Sequence, residues 1–208
     1  MLSEKSVEVI QQRLKLLYDD HVSELLGILN RNIDSIKPDQ RASISDSIKN
    51  FNNDTRVSLL KHGDAITSEL TSTLEKLEII TLAEPEKNIL VEVVVSCLNQ
   101  DLYLKRFNIF LQSITRHMQR RGIAIDLKDY RVDMAQSICE ASARNLCRTI
   151  LQKVTIELDI LIEKGARVEC SEKKQSNIEA NEALELKPNF FGIGVNFNYL
   201  LKKIFKKT

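Results

Sequence analysis

Six glycines and three prolines in 208 residues leave this chain few places to interrupt a helix. Apolar residues recur at steps of three and four through most of its length, which is the period of an amphipathic helix. The spacing predicts a first helix from Ser3, its N-cap, to about Ile36. Its seam runs through Val7, Ile10, Leu14 and Leu17, and resumes at Val22, Leu25, Leu29 and Ile33. The five-residue step between Leu17 and Val22 reads as a local adjustment of the seam. A second helix is expected from Pro38 to about Thr81, with breaks foreseen at the polar stretch Asn52 to Thr55 and near Gly63. A third follows Glu84-Pro85 and runs to about Arg121, closed by Gly122 at C′. A fourth starts near Asp126 or Asp129 and runs to Lys164, with Gly165 as its stop. Its apolar stripe is Met134, Ile138, Ala141, Leu146, Ile150, Val154, Leu158 and Leu161.

Helices this long, joined by short connections, predict an all-α fold: an elongated antiparallel four-helix bundle with coiled-coil-like seams over residues 1–166. From 167 to 187 the sequence turns polar and loses its stripe, as a linker does.

The last 21 residues differ from everything before them. Phe191, Ile193, Val195, Phe197 and Tyr199 alternate with Gly192, Gly194, Asn196 and Asn198, the period-2 pattern of a strand. A helical segment follows, with Leu200, Leu201, Ile204 and Phe205 on one face and Lys202, Lys203, Lys206 and Lys207 on the other. Such a strand needs a partner for its N–H and C=O groups. Three occupants fit: a sheet edge on a protein partner or another copy of the chain, an anionic membrane surface, or a groove on the chain's own bundle. The glycine-lined face, which lets another backbone approach closely, favours a protein surface.

Net charge is +1, and the five lysines from Lys187 onward leave about −4 for the rest. Global charge therefore draws no polyanion, and nucleic acid is not an expected partner. Cys97, Cys139, Cys147 and Cys170 lack CxxC spacing and read as buried reduced thiols of a cytoplasmic protein. The N-terminus has no signal-peptide h-region, and no apolar run is long enough to span a bilayer. No glycine-rich phosphate loop, HExxH motif or zinc spacing occurs, so no metal or cofactor is expected. The basic run Arg116-His117-Met118-Gln119-Arg120-Arg121 sits where a helix is expected to end, and reads as complementing the helix dipole.

Arg56 and His62 stand six residues apart in Arg56-Val57-Ser58-Leu59-Leu60-Lys61-His62. The spacing resembles the Arg…His motif of the HEPN nucleases, an all-α family. The resemblance implies that His62 would act in acid–base chemistry on RNA and that Arg56 would stabilise phosphate charge. It covers these two positions alone, and Val57 stands where that family often has Asn. The expected role is therefore a non-enzymatic cytosolic interaction or scaffold protein that docks through its C-terminal tail. A peripheral membrane protein using the cationic tail and a HEPN-like RNase are the alternatives.

Overall fold

The computed structural model describes residues 2–37 and 39–175, with side chains to 167. Its regular structure there is helical throughout: α1 (Glu4–Asp34), α2 (Arg41–Lys76), α3 (Glu84–Cys97), α4 (Gln100–Gln119) and α5 (Val132–Gln175), plus a 3-10 turn at Leu127–Tyr130. The fold is an all-α bundle, as the periodicity required. The linker from 176 and the strand-plus-helix tail lie outside the described residues.

The side-chain bonds between helices give the topology. Asn32 Nδ2 donates to Asp54 Oδ2 at 2.9 Å, and His21 meets Ser58 nearer the opposite ends, so α1 and α2 run antiparallel. Leu2 N–H donates to the Glu86 carboxylate and His21 meets Tyr103, so the α3–α4 row runs parallel to α1. Lys87 bridges to Asp159 at 2.7 Å, which brings α5 back along α3. The result is an up-down-up-down bundle in which α3 and α4 together make the third row. At its centre the Phe51 ring stacks on Phe110, centroids 4.3 Å apart, with Phe107 tilted against it. All three are fully buried.

Several local expectations hold. Ser3 Oγ accepts the Ser6 N–H as the N-cap of α1. Gly122 has φ +74°, its N–H bonds to Gln119 O, and Ile123 N–H bonds to Met118 O, a Schellman closure of α4.

Others are corrected. The α1 seam has no adjustment between Leu17 and Val22: buried His21 occupies it, and the seam continues through Leu25, Ile28 and Asn32. Helix α2 is unbroken at Asn52–Thr55, because Phe51, Thr55, Ser58 and Leu59 are buried and tertiary packing outweighs weak propensity. It is also unbroken at Gly63, where a Cβ would lie 2.5 Å from Ile150 Cγ1. Glycine there permits close approach of α5. The same holds at Gly165, whose missing Cβ would meet Thr81 Cα at 3.2 Å. Gly165 therefore does not end the fourth long helix, and α5 continues to Gln175 into the expected linker. The third helix, read as continuous, is interrupted: Leu98 leaves helical geometry at φ −95°, ψ 55°, and the Asn99 side chain caps α4 by accepting the Asp101 N–H. Finally, Met134, Ile138 and Ala141 are exposed rather than part of the core.

Candidate functional site

The largest concentration of titratable chemistry inside the bundle lies where α1, α2 and α4 meet. His21 projects from the α1 seam, Ser58 and His62 from successive turns of α2, and Tyr103 from the first turn of α4. All four are buried. Tyr103 Oη lies 2.7 Å from His21 Nε2, and Ser58 Oγ lies 3.2 Å from His21 Nδ1. A neutral imidazole offers one donor and one acceptor, and each hydroxyl can be either, so both bonds form whichever nitrogen carries the proton. The His62 ring stacks on His21 with centroids 4.1 Å apart and planes 2° from parallel.

This environment keeps the imidazoles neutral. Burial, and then the neighbouring His62, push the pKa of His21 down to about 3. Burial also lowers that of His62, although the main-chain carbonyl of Cys97 and the carboxylate of Glu24 pull it partly back. Two unit charges at this separation would repel by ~4 kcal/mol at an effective dielectric constant near 20. Burial likewise raises the Tyr103 phenol. His62 Nε2 has no hydrogen-bond partner.

The sequence-derived pair divides between two environments. His62 is inside the bundle, whereas Arg56 is exposed and borders a cavity of about 20 Å³ lined by Asn52, Thr55, Tyr103 and Cys139. That volume holds about one water molecule, far below what a nucleotide needs. The basic run at the end of α4 places Arg116 and His117 in the helix's last turn, where they complement its dipole. Among the described residues no cluster of His, Cys, Asp and Glu could hold a metal ion, and no helix is long and apolar enough to cross a membrane. Cys97, Cys139 and Cys147 are free thiols. Burial pushes the pKa of Cys139 and of Cys147 up to about 11, which makes them poor nucleophiles.

A wider groove of about 410 Å³ runs between α2 and α5, lined by Asp64, Thr67, Glu75, Glu157 and neighbouring hydroxyls. Lys153 crosses it to bond Asp64 at 2.7 Å. It holds no histidine or cysteine. The tail residues expected to bind a partner, Phe191 to Phe205, and the steering lysines Lys202, Lys203, Lys206 and Lys207 lie outside the described residues.

No protein-family model, curated protein or solved structure matches the chain.

Sequence reasoning missed His21 and Tyr103. The signal for His21 was present: a five-residue hole in an otherwise regular seam, with a histidine standing inside it.

Proposed function

We propose that this protein is a non-catalytic association module: a helical bundle that carries a docking segment at residues 188–208. The observation behind this reading is that the bundle closes its own core. Its buried apolar residues run from Ile10 to Leu158 and come from all five helices, with Leu14, Phe51, Leu90, Phe107 and Val154 at zero exposure. These buried residues all precede the tail, which supports a separate role for its alternating apolar residues and lysines. The burial of His62, stacked on a second neutral ring and apart from exposed Arg56, also favours a structural role for the one residue pair that suggested catalysis.

In the proposed mechanism Phe191, Ile193, Val195, Phe197 and Tyr199 supply alternate side chains to a sheet edge on a protein partner. Leu200, Leu201, Ile204 and Phe205 pack beside it. Lys202, Lys203, Lys206 and Lys207 speed encounter with an acidic surface and make binding weaken with salt.

The test is deletion of residues 188–208. Helical circular dichroism and the thermal midpoint should stay unchanged while capture of partners is lost. A fall of many degrees in the midpoint would mean that the segment completes the core, and the reading would be wrong. Salt-sensitive binding of the full chain to anionic vesicles, lost when the four lysines become Glu, would replace the protein partner with a membrane surface.

A further inference from the structure

Most helical threonines among the described residues turn their hydroxyls back onto the helix. Thr67, Thr71, Thr115, Thr149 and Thr155 each donate to the carbonyl oxygen four residues earlier, at 2.9–3.1 Å. Thr55, on α2, does not. The residue is only 6% exposed, yet its Oγ1 has no hydrogen-bond partner within the chain. Three residues earlier on the same helix, Asn52 Oδ1 is also buried without a partner. Positions three apart share one face of a helix. Both residues line the cavity of about 20 Å³ that α2 shares with Tyr103 and α5.

A buried oxygen without a partner has lost bulk water and gained no bond in its place. Two such oxygens on one small cavity point to a shared ligand. A space of about 20 Å³ admits one water molecule and excludes anything the size of a metabolite. The wall opposite α2 is built from the short side chains Cys139, Ser142 and Ala143 of α5. Ser142 is half-buried and, unlike Ser137, makes no bond to the carbonyl four residues back. Exposed Arg56 borders the cavity, and its positive charge disfavours a metal ion there. We propose that the cavity is a hydration site, in which one water molecule joins Asn52 and Thr55 of α2 to Ser142 of α5. Water suits this set because it donates and accepts at once. It donates to Asn52 Oδ1 and to Ser142 Oγ, and it accepts the Thr55 hydroxyl proton. Three partners are the usual number for a buried water. The molecule thus supplies a polar link between two helices at a point where their side chains are too short to meet.

The site is independent of the docking segment proposed above, and its test uses the full chain. Thr55→Val keeps the shape of the side chain and nearly its helix propensity, so the hydroxyl is what the change removes. The sign of the effect separates a wet cavity from a dry one. In a dry cavity the substitution removes an orphaned buried hydroxyl and raises the thermal midpoint. In a hydrated one it breaks a hydrogen bond, and the midpoint should fall by about 2–4 °C. Water oxygen-17 magnetic relaxation dispersion counts long-lived internal water molecules directly. Asn52→Leu combined with Thr55→Val should lower that count by one relative to the wild-type chain, while the helical circular dichroism stays the same. Ser142→Ala should also lower the midpoint. Its loss and that of Thr55→Val should combine to less than their sum, because both act through the same water molecule. A midpoint that stays or rises on Thr55→Val overturns the proposal, and so does an equal count of long-lived water molecules in the wild-type and doubly substituted chains. Strictly additive losses for Thr55→Val and Ser142→Ala overturn the link to α5.

Discussion

The imidazoles of His21 and His62 lie face to face, 4.1 Å between centroids and 2° from parallel, in the interior of the bundle. Their folded pKa values are both below the ordinary 6.5. The unfolded chain therefore takes up protons first as pH falls. The stability this pair contributes is present in full above pH 6.5 and is lost on acidification. With a folded value of about 3, His21 alone accounts for roughly 2 kcal/mol of loss between pH 7.5 and 5. Urea unfolding across that range measures it. His62→Phe keeps a flat ring against His21 and removes one titrating group, so its stability should fall less steeply with acid. Parallel curves for the two proteins would remove His62 from the account.

Gly63 and Gly27 should respond in opposite directions to alanine. At Gly63 the new methyl would sit 2.5 Å from Ile150 Cγ1, so α2 and α5 must separate or Ile150 must leave its rotamer. Gly63→Ala should destabilise by about 1–3 kcal/mol, and Ile150→Val in the same chain should recover part of that. At Gly27 the methyl meets nothing nearer than Arg31 Nη1, the end of a flexible side chain, at 3.4 Å. Gly27→Ala should stabilise by about 0.5–1 kcal/mol through helix propensity. Denaturant midpoints of the variants decide both.

Glu78 takes the left-handed conformation at φ 53° where α2 ends. Its N–H bonds to Glu75 O and the next N–H bonds to Leu74 O, the same closure that Gly122 makes for α4. A side chain in this region is strained, and glycine is not. Glu78→Gly should raise stability by about 0.5–1 kcal/mol, visible as a higher thermal midpoint. An unchanged or lower midpoint would show that the exposed Glu78 side chain contributes more than its backbone costs.

The sequence disclosed the helices more readily than their faces. Few glycines and prolines, and steps of three and four, were enough for the number of rows and for the ends of α1 and α4. Breaks were misread because local propensity was weighed where packing decides: Asn52 to Thr55 stay helical around buried Phe51 and Thr55. Gly165 was taken as punctuation, although its role is clearance for Thr81. The α3–α4 break had a legible sign in Asn99 two residues before Asp101, a capping arrangement set inside an apolar run. On α5, Leu146, Ile150, Val154 and Leu158 trace the inward face, while Met134, Ile138 and Ala141 had been joined to it across a drift that a one-dimensional stripe does not reveal. The stacking of His21 on His62 depends on the register of α1 against α2, which no spacing within either helix encodes.

The interruption at Leu98 has a consequence for that buried pair. In an unbroken helix the carbonyl of Cys97 would accept the amide of Asp101. Asn99 takes that amide instead, through its side-chain oxygen at 3.0 Å. The Cys97 carbonyl is thereby released from helical duty, and it is the main-chain group that helps His62 retain a proton against burial. The gap between α3 and α4 thus works as a socket: one turn of backbone hydrogen bonding is redirected so that a ring from another helix can rest in the interior. Restoring a continuous helix there would leave His62 with fewer partners than it now has.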